Sequence, residues 1–313
     1  MDCTITASNT ETIDLRGTFL AISFFQPIML RYAHMIHTID GKAIAQKLLD
    51  SLKKQIAQLP TQPKLAVVYV GDDKPSRTYI RRKQQAAEYV GIDFALHTFP
   101  PHISKQDLIQ NIITIQKDKN LSGVIVQLPL PEPLYTDEVL NAVRPEFDVD
   151  CLTDTNIGKL VMKTHAITPP TPEAVCVVLD EIAVNVEGKN ITIIGAGALV
   201  GKPLSVMLLN RKATVTTCNS RTKNLKKHCR KADIIVSAVG KKDLVRGNMV
   251  KKGTIVIDTG ISFEKGKMYG DINFKEVSKK ASYVTPTPGG IGPITVALLL
   301  KNVIQLSSQN LQN

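Results

Sequence analysis

The chain reads as an α/β protein of two domains, an N-terminal parallel-sheet domain followed by a Rossmann-type dinucleotide-binding domain. Three observations predict this. Short apolar runs alternate with helix-period segments through most of the 313 residues, the pattern of parallel strands joined by crossover helices. The length exceeds that of one ordinary domain. The stretch Lys189–Pro203 reads as a buried strand, a glycine turn and a helix start. That layout cradles a dinucleotide pyrophosphate, because glycines let the backbone approach and the helix dipole faces the anion.

The elements follow in order. Residues 1–34 are read as an N-terminal extension, either a floppy tail or a misassigned start, because Met35 opens a cleaner sequence. Its Leu20–Leu30 stretch is apolar but short. The preceding segment holds Asp2, Glu11 and Asp14 with Arg16 as its only basic residue, a poor secretory or mitochondrial leader. Apolar residues at Ile44, Leu48, Leu49, Leu52 and Ile56 predict a helix over Ile44–Leu59. Leu65–Val70 is a buried strand before a Gly71-Asp72-Asp73 turn. Ser76–Tyr89 is helical, Phe94–Thr98 a strand, Ile103–Lys117 a helix, and Gly123–Leu128 a strand closed by Pro129. Pro145–Thr171 reads as irregular and turn-rich, a hinge, and Glu173–Ile182 as a helix.

The second α/β unit runs from Ile191 to Val284. A strand at Ala213–Thr217 follows the glycine turn, and another at Asp233–Gly240 follows a basic linker. Thr285–Pro293 forms a rigid glycine-rich loop, and a last helix, Ile294–Leu306, returns to the first domain. The domains are therefore 35–160 with 285–313, and 161–284.

Composition excludes several classes. Cys3, Cys151, Cys176, Cys218 and Cys229 show no C-x-x-C and no metal spacing, and the histidines form no cluster. No metal is expected, and a reducing, cytoplasmic compartment is. No run approaches the roughly 20 apolar residues of a membrane helix. The net charge of +11 raises nucleic-acid binding. However, aromatics are 5%, tryptophan is absent and no nucleic-acid motif occurs, so a surface that attracts small anions fits better. Gly188–Ala232 contains no Asp or Glu while Lys and Arg recur, which gathers positive charge around the glycine turn.

Candidate chemistry lies in the first domain. Ser76, Tyr79 and Lys83 share one helix face by spacing. A tyrosine there can stack on a flat ligand and donate a hydrogen bond. A partly desolvated lysine can act as acid or base. The same segment also suits a solvated basic face, since Arg77, Arg81 and Arg82 are neighbours. Gln127 stands at the C-terminal end of a strand, where open parallel sheets bind ligands, or it caps the strand. Asp148-Val149-Asp150 offers a carboxylate that could accept two N–H donors from a heterocycle or cap the next turn.

The glycine turn is Gly195-Ala196-Gly197 with Gly201 four residues on, a G-x-G-x-x-x-G spacing. An NAD site usually places an acid about 20 residues beyond such a turn, and none exists here. Ser220 and Arg221 follow the next strand instead, and arginine suits a 2′-phosphate. The reading is NADP rather than NAD, with Arg221 as its reader.

Together these pieces resemble the bifunctional methylenetetrahydrofolate dehydrogenase/methenyltetrahydrofolate cyclohydrolase family over about residues 36–305. The resemblance rests on Val70-Gly71-Asp72 with Ser76–Lys83, on Gly123–Pro131, and on Asp148-Val149-Asp150 with Asn156-Ile157-Gly158-Lys159-Leu160. It rests also on Val200-Gly201-Lys202-Pro203, Gly270-Asp271-Ile272 and Thr285–Pro293. It implies a folate cleft between a catalytic domain and an NADP-binding domain. Lys83 would be the central catalytic residue, Gln127 its hydrogen-bond partner and Tyr79 a stacking platform. Asp150 would anchor the pterin, and Pro288, Gly289 and Gly292 would line the cleft. Gly195, Ala196, Gly197, Gly201, Ser220, Arg221 and Ile261 would form the cofactor site. The implied reactions are NADP-dependent oxidation of 5,10-methylenetetrahydrofolate to the methenyl form, then hydrolysis to 10-formyltetrahydrofolate. The implied partners are tetrahydrofolate derivatives and a second copy in a homodimer, with no nucleic acid and no membrane.

Four segments depart from the family pattern. Gly195-Ala196-Gly197 replaces Gly-Arg-Ser, Asn219 replaces the histidine of His-Ser-Arg-Thr, and Cys151 replaces the glycine after the pterin-binding Asp. Pro169–Ala174 replaces Pro-Cys-Thr-Pro-x-Gly. The changes cluster on the cofactor side and the hinge. They leave open a cyclohydrolase with a weakened dehydrogenase, and the charge leaves open a non-catalytic anion-binding protein.

Overall fold

The first half of the chain runs β1 (His37–Thr38), α1 (Gly41–Ile56), β2 (Lys64–Val70), α2 (Lys74–Val90), β3 (Asp93–Phe99), α3 (Lys105–Ile115), β4 (Leu121–Val126), α4 (Asp137–Leu140) and α5 (Asp154–Val161). The second runs α6 (Pro170–Glu181), β5 (Asn190–Ile194), α7 (Gly201–Asn210), β6 (Thr214–Cys218), α8 (Leu225–Lys231) and β7 (Ile234–Ser237). It continues with β8 (Ile255–Asp258), β9 (Ser262–Glu264), β10 (Lys267–Tyr269), α9 (Phe274–Val277), β11 (Tyr283–Val284) and α10 (Ile291–Asn310). This computed structural model describes residues 37–310; the extension 1–34, Met35 and Cys3 lie outside them.

The first sheet has the order β3-β2-β4, all parallel. β2 is its centre, and Leu65 to Val70 are all buried, as expected of a strand with helices over both faces. Asp40 and Asp73 cap α1 and α2 by accepting from backbone N–H groups of the first turn. Gly91, at φ +94, ends α2 in the left-handed conformation.

The second sheet has the order β1-β11-β8-β7-β5-β6, again all parallel. The chain leaves β5 for β6 on one side and returns to β7 on the other. That reversal opens a crevice at the C-terminal ends of β5 and β7, where such sheets bind ligands.

α10 joins the two halves. Ile291, Ile294, Ala297 and Leu298 pack with α1, α6 and β5, while Leu299, Leu300, Val303, Ile304 and Leu306 pack with β2 and α2. Asn302 Nδ2 donates to the carbonyls of Val149 and Thr168, both at 2.8 Å.

Four expectations change. The hinge is not wholly irregular, because Thr153 caps α5 and Leu160 buries its inner face; eight residues are too few to show a periodicity. The basic linker contains α8, whose inward side offers only Leu225 and Cys229 among cations. His37 and Thr38 pair with β11, so the chain touches the second sheet before building the first. Ile291–Ser308 is long and apolar enough to cross a membrane by length and composition, although no such run was expected. Its packing against both sheets accounts for that composition.

Candidate active site

α2 presents its working residues toward the end of β4. Ser76 is buried, Tyr79 and Lys83 are half-buried, and Arg77, Arg81 and Arg82 are exposed. The helix therefore carries both features the sequence left open: an inward Tyr–Lys pair and a solvated basic face, where Arg77 meets Asp72 at 2.6 Å. Lys83 Nζ donates to Gln127 Oε1 at 3.0 Å. Gln127 stands one residue beyond β4, and its backbone N–H donates to the Val68 carbonyl at 2.8 Å. Its Nε2 donates to the Leu128 carbonyl at 2.6 Å. The amide is thus held at both ends, and its oxygen is the end that faces the lysine. Burial lowers the Lys83 pKa below the ordinary lysine value, and the nearby charge of Asp150 opposes this.

The Tyr79 hydroxyl is buried and has no hydrogen-bond partner among the described residues. Burial pushes this phenol up, with Arg82 opposing from 5.9 Å off the ring centroid. An unpaired buried donor costs about 1–3 kcal/mol, and a ligand acceptor at this spot removes that cost.

The connector after β4 separates two carboxylates by role. Asp148 is buried and accepts from Leu152 N, Thr153 N, Thr153 Oγ1 and Asn156 Nδ2 at 2.8–3.0 Å. It is the cap of the turn into α5. Asp150 accepts no hydrogen bond among the described residues, and burial raises its pKa while Lys83 opposes. Of the two uses the sequence left open for this segment, capping falls to Asp148, with Thr153 and Asn156 as its partners. Cys151 sits at φ 56, which explains why the resembling family carries glycine there.

The Pro288–Gly292 loop is seated on the start of α1. A methyl group on Gly41 would lie 1.7 Å from the Gly290 carbonyl oxygen, so only glycine permits this approach. Gly289 adopts φ +103, and a methyl group on Gly292 would point into open space. Among the described residues, no hydrogen bond joins this loop to Lys83 or Asp150.

On the second sheet, the glycines differ in need. A side chain on Gly195 would meet the Ala238 carbonyl oxygen at 2.4 Å, and one on Gly201 would meet the Gly195 oxygen at 1.9 Å. Gly197 has open space, and Ala196 is half-buried. The start of α7 has no side-chain cap and no acid in its first turn; Lys202 N donates to the Gly197 carbonyl at 3.0 Å and Pro203 has no N–H, so the helix dipole is what suits a phosphate there. Gly195 N donates to the Cys218 carbonyl at 2.9 Å, which sets the Ser220–Arg221 turn beside the glycine turn. Both turn residues are exposed, and Asn219 Oδ1 accepts from Arg221 N at 2.9 Å. Ile261 is 36% exposed beyond β8, and Leu199 at 41% and Val239 at 47% are exposed at neighbouring strand ends. Among the described residues, no group of three or more His, Cys, Asp or Glu could hold a metal.

Residues 39–150 match the tetrahydrofolate dehydrogenase/cyclohydrolase catalytic domain, and residues 169–311 match the NAD(P)-binding domain of the same family. The bifunctional protein FolD of Nautilia profundicola is 43% identical over 271 residues, spanning 85% of this chain and 95% of the relative. That of Methanosarcina barkeri is 43% identical, spanning 90% and 100%. Among solved structures, the bifunctional FolD methylenetetrahydrofolate dehydrogenase/cyclohydrolase of Campylobacter jejuni superposes with a TM-score of 0.85 at 39% identity, covering 88% of this chain and 99% of that one. The Trypanosoma brucei enzyme, complexed with NADP cofactor and inhibitor, gives 0.86 at 33% identity, covering 89% and 99%.

Proposed function

This chain belongs to the tetrahydrofolate dehydrogenase/cyclohydrolase family, and on that premise we propose that it both oxidises 5,10-methylenetetrahydrofolate and hydrolyses the methenyl product to 10-formyltetrahydrofolate. The observation that carries the reading is the Lys83–Gln127 bond at 3.0 Å beside the unpaired Tyr79 hydroxyl and the unpaired Asp150. We assign folate binding to residues 35–160 with 285–313, and the cofactor to 161–284.

Each residue has a part. Tyr79 supplies a ring face to the pterin and a hydroxyl donor to the ligand. Asp150 accepts N–H groups of the pterin. Lys83, with its ammonium form disfavoured, takes a proton from the water that attacks the methenyl carbon and returns one to the departing nitrogen. Gln127 fixes the lysine's direction. NADP+, when bound, supplies the hydride acceptor for the first step. The glycine turn and the start of α7 would hold its pyrophosphate, and Ser220 and Arg221 would hold its 2′-phosphate. No arginine stands at Ala196, so Arg221 carries that recognition. Arg221→Ala should raise the dissociation constant for NADP+ by about tenfold, the worth of one charge-assisted bond, and leave NAD+ nearly unchanged. Equal losses for both cofactors would sink the assignment.

We also place the chain in a reducing cytoplasm as a homodimer. In support, the four described cysteines are free and buried, and burial pushes Cys176 and Cys229 up to about 12, so they stay protonated. The test of the whole reading is purified chain with 5,10-methylenetetrahydrofolate and NADP+ or NAD+, followed by absorbance of the methenyl product and, separately, its decay. Both steps running with NADP+ preferred supports it. Methenyl decay alone leaves a cyclohydrolase, and neither step leaves a binding protein.

A further inference from the structure

Two buried carboxylates in the second sheet have no part in the reactions described so far. Asp258 ends β8 and is 4% exposed; Asp271 follows β10 and is fully buried. Asp271 Oδ2 accepts from Ser237 Oγ at 2.7 Å and Val239 N at 2.8 Å, and its Oδ1 accepts from Lys241 N at 2.7 Å. All three donors belong to the segment where β7 ends. Asp258 Oδ1 accepts from Gly260 N at 3.0 Å and Asp271 N at 3.1 Å, and its Oδ2 accepts from Ile272 N at 3.1 Å. The Asp258 N–H donates to Thr285 Oγ1 at 2.7 Å.

The packing is reciprocal. A methyl group on Gly260, beside Asp258, would lie 2.1 Å from the Asp271 carboxylate. One on Gly270, beside Asp271, would lie 1.9 Å from the Asp258 carboxylate. Each carboxylate therefore fills the space left by a glycine next to the other. Their bonds tie the end of β7 to the end of β8, and Thr259 adds two bonds to the Ser237 carbonyl, both at 2.8 Å.

What this lock holds in place is the pair Val239 and Ile261, both exposed at adjacent strand ends. Ala238 N donates to the Ile194 carbonyl at 2.7 Å, so the pair sits next to the glycine turn. Nothing in the sheet itself fixes the two side chains, because both lie beyond the last ladder bonds. Apolar residues on a water-facing rim gain a use when a flat ring is pressed between them.

We propose that Asp271, together with Asp258, is a positioning residue for the cofactor: it sets Val239 and Ile261 as an apolar jaw for the ring that exchanges hydride. The proposal rests on the reading that this crevice binds NADP+. It predicts a split between the two activities, since methenyl hydrolysis uses Lys83 and Gln127 on the other sheet.

Asp271→Asn keeps the shape and replaces one acceptor oxygen by an NH2 group that cannot accept. By titration calorimetry with NADP+ on the full chain, its dissociation constant should rise about tenfold, the equivalent of one lost hydrogen bond at about 1.4 kcal/mol. Methenyl hydrolysis should keep its kcat/KM within about twofold, and the melting curve should stay cooperative. Should Asp271→Asn fail to fold, Ser237→Ala removes one of the three donors and reads the same ratio with a smaller rise of about threefold. If the unmodified chain binds no NADP+, the underlying reading falls and the jaw with it. If it binds, and the variant leaves affinity unchanged or lowers both activities in parallel, the positioning role is overturned.

Discussion

Lys83→Met should lower methenyl hydrolysis by about 10²- to 10⁴-fold, the usual worth of a positioned acid–base group, without loss of fold. The side chain's one hydrogen bond goes to Gln127, and methionine fills the same length with an apolar stem. The pH profile carries the sharper test. Burial favours the neutral amine, so the ionisation governing kcat/KM lies below the ordinary lysine value. Rate should rise with pH up to that ionisation and then level off, because the neutral form takes the proton. Asp150 acts in the opposite sense by stabilising the ammonium. Asp150→Asn should therefore move the ionisation still lower, whatever it does to folate affinity. An upward move, or an unchanged profile in Lys83→Met, would contradict the assignment. The same shift has a stability counterpart. The folded state binds fewer protons at Lys83 than the unfolded chain does. Its contribution to stability therefore grows as pH rises between the lowered value and 10.5.

Asp148→Ala should cost roughly 3–4 kcal/mol, because it strips acceptors from buried or half-buried donors that each cost about 1–3 kcal/mol when unmet. Four donors converge on this one carboxylate. Asp150→Ala, two residues on, should change stability by less than about 1 kcal/mol, since Asp150 accepts no hydrogen bond among the described residues. Urea unfolding of the two variants reads the contrast. If Asp148→Ala unfolds within about 1 kcal/mol of the parent, the capping role assigned here fails.

Sequence reading succeeds where one residue type answers to one local need. The strand–turn–helix at Gly195 to Gly201 is legible because only glycine meets the Ala238 and Gly195 carbonyls there. The Tyr79–Lys83 pair is legible as a spacing, but its direction is not, because Arg77, Arg81 and Arg82 give the same helix a basic outer face. Direction comes from Gln127, 44 residues away, a distance that periodicity does not reach. Asp148 and Asp150 look alike on paper; what separates them is Thr153 and Asn156 folding back on the first. The Asp258–Asp271 pair is harder still, since apart from the Ser237 hydroxyl its donors are backbone N–H groups, which every residue but proline possesses.

α10 is synthesised after every other described element, yet it supplies core to both sheets and pins Val149 and Thr168 through Asn302. Nascent domains commonly mature in order as they leave the ribosome. Here the first half emerges early but stays without one of its walls until α10 arrives, so its maturation is coupled to completion of the second half. The two halves are not exchangeable parts: a recombination that swapped either one between relatives would also have to carry the matching side of this helix.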